Sequence, residues 1–79
     1  MKELVLYLAK SLVSHPEEVE IREAQGESGM VFELRVAQED LGRIIGKQGR
    51  TAQSLRTILN AAASRANRRV VLEIIEEDR

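Results

Sequence analysis

Ile44-Ile45-Gly46-Lys47-Gln48-Gly49-Arg50 is the stretch on which the reading of this 79-residue chain turns. Two glycines three residues apart enclose a basic and a polar residue. Leu41, Ile44 and Ile45 lead in at helical spacing, and a long amphipathic pattern leads out from Arg50. Glycine lets the main chain turn sharply and lets a ligand come close to it. The start of the following helix offers unpaired N–H groups and a partial positive charge, which suit a phosphate. Lys47 and Arg50 add full charges at the same place. A plain helix–helix turn also fits two glycines at this spacing, so the flanking chain has to decide.

Downstream, Ala52, Leu55, Ile58, Leu59, Ala62, Ala63 and Ala66 stripe one side of a helix from about residue 50 to 66. Gln53, Thr57, Asn60 and Ser64 take the other side, and Asn67 suits a C-terminal stop. Val70 to Ile75, rich in β-branched residues, reads as a strand before a charged tail, Glu76-Glu77-Asp78-Arg79. Upstream, Gln38-Glu39-Asp40 brings acidic side chains to the start of the short helix, complementing its dipole.

Two half-buried strands precede it. In the first, residues 18 to 24, Val19 and Ile21 alternate with Glu18, Glu20 and Arg22. In the second, Met30, Phe32, Leu34 and Val36 alternate with Glu33 and Arg35. Gln25-Gly26-Glu27-Ser28-Gly29 between them has the chemistry and length of a hairpin turn. Residues 2 to 14 form a helix with Leu4, Val5, Leu8, Ala9 and Leu12 on one face, widened by Leu6 and Val13. Pro16 stops it, because the residue before a proline is steered out of the αR region. His15, the lone histidine, is expected at the surface near that helix end. The last strand must run parallel to the second, since two helices intervene and the crossover is right-handed. The result is an α+β fold, α-β-β-α-α-β, whose three-stranded mixed sheet has the second strand at its centre and the helices on one face. It makes one domain over residues 1–79, with a core of about 2–76.

Composition narrows the function. The net charge is −1, but from Leu41 to Leu72 there are seven basic residues and no acidic one. That window carries +7 and the remainder −8, the pattern of an electrostatic footprint on an otherwise acidic domain. Arg56 and Arg65 fit helix-surface solvation as readily as that footprint. There is no cysteine, and a single histidine cannot build a metal site, so no cofactor is implied. Glu39 and Asp40 point about 100° apart on a helix and make a poor catalytic pair; an enzyme is not expected. The first helix is broken by Glu3, Lys10 and Ser11, unlike a signal peptide or membrane span, so a cytoplasmic protein is the reading.

The stretch Asp40-Leu41-Gly42-Arg43-Ile44-Ile45-Gly46-Lys47-Gln48-Gly49-Arg50-Thr51 resembles the signature loop of KH domains, I-I-G-x-x-G followed by a basic residue. The order of elements over residues 2 to 76 resembles the type II KH arrangement. The whole is most similar to the KhpA (YlqC) family of short, single-domain bacterial KH proteins. The resemblance implies binding of single-stranded RNA, with G-x-x-G holding the backbone of about four nucleotides, and a role in post-transcriptional regulation or as an RNA chaperone. It also implies association with itself and with KhpB (Jag, EloR), a larger partner that joins a KH domain to a second nucleic-acid-binding domain.

On this reading Gly46 and Gly49 admit the RNA backbone, while Lys47, Gln48 and the helix start at Arg50 hold phosphates. Arg43 lines the approach, and Ile44 or Ile45 touches a base. Val70 to Leu72 form part of the groove wall. Asn67-Arg68-Arg69 stands where a type II domain has its variable loop and is very short, which leaves little room for recognition there. The expected surface for self-association is the helix after the loop, through Thr51, Ala52, Ser54, Ala61, Ala62 and Ala63. The face of the first helix through Leu6 and Val13 is the alternative. Two other functions remain open from sequence: duplex DNA binding by a helix-turn-helix, and a protein-interaction module.

Overall fold

Phe32 and Leu34 mark the centre of the molecule. Both lie on one face of β2 (Met30–Arg35), 2 % and 0 % exposed. Side chains alternate across a strand, so the sheet face these two share is the one that the helices cover. The computed structural model describes residues 1–76. Around β2 it places α1 (Lys2–Leu12), β1 (Glu20–Gln25), α2 (Leu41–Ile45), α3 (Arg50–Arg65) and β3 (Val70–Ile74). Short 3-10 turns occupy Pro16–Glu18, Gln38–Asp40 and Lys47–Gly49.

β1 runs antiparallel to β2, from Glu20 opposite Arg35 to Gln25 opposite Met30. β3 runs parallel to β2, from Met30 opposite Val70 to Leu34 opposite Ile74. The expected three-stranded mixed sheet with β2 central is therefore present. Val5 and Ala9 of α1, Ile44 of α2, and Leu55, Leu59 and Ala63 of α3 close over Phe32, Leu34, Val70 and Leu72. Arg22, Val71 and Glu73, on the opposite sheet face, are exposed.

α3 stops where the sequence suggested. Asn67 takes a left-handed conformation (φ 60°). Its N–H donates to the Ser64 carbonyl at 3.0 Å, and the Arg68 N–H to the Ala63 carbonyl at 2.8 Å. This pairing closes the last turn and satisfies carbonyls that would otherwise be orphaned. Among the described residues no helix is long and apolar enough to cross a membrane. The tail after Glu76 lies outside them.

The first helix ends earlier than its apolar pattern suggests, at Leu12 rather than residue 14. The cause is Asp40, the one buried charged side chain among the described residues, 1 % exposed. Its Oδ1 accepts the Ser14 N–H and its Oδ2 the His15 N–H, both at 2.9 Å. Those amides cannot also bond back along α1. The His15 ring Nδ1 lies 3.1 Å from Oδ2, and Arg43 Nε lies 3.6 Å from Oδ1. Asp40 stands at the start of α2, where its charge complements the dipole as expected, but it makes no side-chain cap on that helix's own N–H groups. His15 is half-buried in the same cluster rather than free at the surface.

The hydrogen bond from the Ser14 amide, with those from His15, holds the Asp40 carboxyl below its ordinary 3.8 despite the opposing effect of burial. The bond to Asp40 raises His15 above its ordinary 6.5. The Asp40 contribution to stability is thus complete above about pH 3.8 and is lost as pH falls through the lower folded value. The His15 contribution is complete below about pH 6.5 and is lost as pH rises through the higher folded value. Thermal unfolding followed by circular dichroism should therefore give the highest Tm between about pH 4 and pH 6.5. Asp40→Asn should lower Tm and flatten that profile. A wild-type Tm that climbs steadily from about pH 5 to about pH 8 would contradict the assignment.

Candidate nucleic-acid interface

α2 has only five residues, and its apolar side chains fall at spacings of three and four. One direction alone can point inward. Ile44 takes it and is 0 % exposed, whereas Leu41 and Ile45 are half-buried. Ile44, expected among the contact residues, therefore has no surface to offer a base and belongs to the core. Ile45 keeps accessible area beside the loop.

Three of the loop's four residues, Gly46, Gln48 and Gly49, have positive φ. The Gly46 N–H donates to the Gly42 carbonyl at 2.8 Å, closing α2. Gly46 then adopts φ 77°, ψ 170°, a region open only to glycine. Gln48 (φ 57°, ψ 26°) and Gly49 (φ 73°, ψ 13°) follow, both left-handed. The Gly49 N–H reaches the Gly46 carbonyl at 3.1 Å. This path leaves Lys47 and Gln48 exposed at the tip and starts α3 at Arg50, also exposed. No side chain caps α3, and its first N–H, that of Arg50, is taken by the Lys47 carbonyl.

The two glycines do different work. A methyl group at Gly46 would meet the Thr51 Cβ at 2.6 Å and its main-chain nitrogen at 2.8 Å. Gly46 is thus required by the chain's own packing. A methyl group at Gly49 would meet nothing within 4 Å. Its open side is where a ligand backbone could approach.

The charge window does not form one patch. Arg43, Lys47 and Arg50 gather at the loop, although Arg43 leans back toward Asp40. Arg65, Arg68 and Arg69 are exposed at the far end of α3, roughly 22 Å away at 1.5 Å per residue. Arg56 lies between them, half-buried, and its Nε donates to the Leu72 carbonyl of β3 at 3.2 Å. It is therefore held against the sheet edge and does not simply solvate the helix. Thr51 and Asp40 have structural roles that the sequence reading missed. For Asp40 the one available signal was its spacing of three from Arg43.

Ala52 and Ala63, expected at a self-association surface, are 4 % and 2 % exposed and pack in the interior. Leu6 lines a groove between α1 and β1 with Lys2, Lys10 and Ile21. A separate apolar groove of about 290 Å³ runs between α1 and α3, lined by Leu8, Leu12, Thr51, Ser54, Leu55 and Ile58. Leu12 and Ile58 on its walls are 39 % and 43 % exposed.

The division between the glycines can be measured. Urea unfolding should show Gly49→Ala lowering stability by about 1 kcal/mol, the strain of a left-handed alanine. Gly46→Ala should lower it by at least about 2 kcal/mol, since strain and collision with Thr51 add. Equal losses at the two positions would refute the division.

A family model for the KH domain of KhpA and KhpB matches residues 2–74. An RNA-binding protein KhpA of Clostridium perfringens is 53 % identical over 75 residues, covering 95 % of this chain and all of that protein. One from Chlamydia pneumoniae is 54 % identical over 77 residues, 98 % of this chain and 99 % of that protein. One from Borreliella burgdorferi is 47 % identical over 74 residues, 94 % of this chain and 90 % of that protein. No solved structure matches. With a mixed sheet of type II order, a G-x-x-G turn between α2 and α3, and relatives matched almost end to end, the chain belongs to the KhpA/KhpB family of KH domains.

Proposed function

We propose that this domain binds short single-stranded RNA, about four nucleotides, through the Gly46-Lys47-Gln48-Gly49 loop. The observation that carries the reading is the loop's outward construction. Gly49 faces open space, Lys47 and Gln48 stand at the tip, and the uncapped start of α3 at Arg50 lies directly behind. Phosphates would sit at Lys47, Gln48 and the start of α3 at Arg50, and Arg43 would line the approach. Ile45 would offer an aliphatic contact to a base, with Gly46 fixing the turn. The RNA-binding proteins named among the relatives support the same assignment. Post-transcriptional regulation or RNA chaperoning in the cytoplasm is the cellular role that fits such a domain.

A single site of this size binds on the order of micromolar, about 8 kcal/mol. Replacing both Lys47 and Gln48 by aspartate should abolish binding of a short single-stranded RNA while leaving the fold intact, since both side chains are exposed. Wild-type log K against log[salt] should slope by roughly −1.4 to −2.8, the value for two to four phosphates on a single strand. Undiminished binding by the folded double variant would remove the loop from the mechanism.

The α1–α3 groove supports a second part of the reading, self-association. Leu8, Leu12, Leu55 and Ile58 give it an apolar floor and walls, and Thr51 and Ser54 are small enough to admit a second copy closely. A KhpB-type KH domain could use the same face, as a family model common to KhpA and KhpB suggests. Pairing would multiply two weak RNA sites by proximity. Sedimentation at tens of micromolar should show a dimer that Ile58→Glu converts to monomer and Leu6→Glu does not. A dimer disrupted only by Leu6→Glu would move the interface to the α1–β1 groove.

A further inference from the structure

We infer that Arg56 determines base preference by changing which hydrogen-bonding groups the edge of β3 shows to RNA. The inference rests on the RNA-binding reading above. β3 pairs on one side only, with β2. The Met30 N–H bonds to the Arg69 carbonyl and the Ile75 N–H to the Leu34 carbonyl. Alternation along a parallel ladder then directs the main-chain N–H and C=O of Leu72 outward, away from β2. Left bare, that edge would present one donor and one acceptor side by side. Such a pair matches adenine, which shows an acceptor beside an amino group. Arg56 alters the pattern. Its Nε occupies the Leu72 carbonyl at 3.2 Å, and the planar guanidinium is thereby fixed in the half-buried space between α3 and the strand.

With the Leu72 carbonyl already bonded by Arg56, the two terminal nitrogens of Arg56 and the Leu72 N–H make donors predominate at that edge. A base bound there must present two adjacent acceptors. Guanine does so with O6 and N7, and cytosine with O2 and N3; adenine and uracil do not. Position agrees with this use. Arg56 lies six residues beyond Arg50, roughly 9 Å along α3. That distance lies within reach of a short strand whose phosphates are held at the loop. Helical side chains also lean toward the N-terminus, so Arg56 covers the turn nearer the loop.

The test measures affinity for four short single-stranded RNAs that differ only in the base placed at each position in turn. Wild type should favour guanine or cytosine over adenine and uracil at one position, by about tenfold or more. Arg56→Met keeps the aliphatic stem and should erase or reverse that ratio while binding of the adenine RNA persists. Arg56→Lys keeps the charge without the fork and should lose the ratio too. If Arg56→Met weakens all four RNAs alike, or only lowers Tm with the ratio unchanged, the inference is overturned. A wild type with no base preference overturns it as well. The Lys47→Asp, Gln48→Asp variant separates the two ideas. Loss of all binding there with an unchanged ratio in Arg56→Met sinks this inference alone, whereas full binding there sinks the loop reading beneath it.

Discussion

A buried carboxylate governs how this small domain holds together. The chain has no cysteine and only 79 residues, so its core is modest and no covalent tie reinforces it. Asp40 supplies a tie of another kind, joining residues 25 and 26 positions away through the amides of His15 and Ser14. A charge out of water is tolerated only when donors surround it, and this one has two amides, an imidazole and a nearby guanidinium. The same contacts end α1 and fix where α2 begins. Because α2 is five residues long, whatever fixes its start also fixes the G-x-x-G turn at its other end. Stability and site geometry therefore share one residue.

The turn is shaped from inside before it meets any ligand. Gly46 and Thr51 press together, and two left-handed residues swing the tip outward. Few charges are then needed, since the start of α3 adds the positive end of its dipole. A net charge of −1 is compatible with phosphate binding at such a loop: only the field at Lys47 and Arg50 would matter at close range, and more distant exposed charges are screened.

The sequence was legible wherever one residue type answered to one local rule. The alternation of β2 and most of the α3 stripe fell where the periodicity put them, because burial on one face governs both, with Ile58 left exposed at the edge; the stop at Asn67 followed from its left-handed backbone. The loop's location was equally plain. What could not be read was anything decided across the fold. The end of α1 depends on a carboxylate 25 or more residues downstream, and no local pattern announces it. Ile44 and Ile45 are indistinguishable in sequence, yet packing against β2 and α3 buries only the first. Ala52 and Ala63 look like an interface because alanine suits both a close contact and a tight interior; the interior holds them. Arg56 counted as one cation among seven until the edge of β3 gave it a partner.

α3 is used on three sides at once, as a chain this short requires. Ala52, Leu55, Leu59 and Ala63 face the core, Arg56 turns to the edge of β3, and Thr51, Ser54 and Ile58 line the groove shared with α1. Thr51 belongs to two of these surroundings. It walls the groove, and it is the neighbour against which Gly46 is packed. A second copy seated in the groove would confine Thr51 from one side while the loop confines it from the other. Packed interiors respond to such pressure in discrete steps, because there is little free volume to absorb it. Association along α1 and α3 would therefore bear on the G-x-x-G turn through a single side chain, without any movement of the sheet. The pairing that raises avidity would at the same time hold the RNA loop in one geometry.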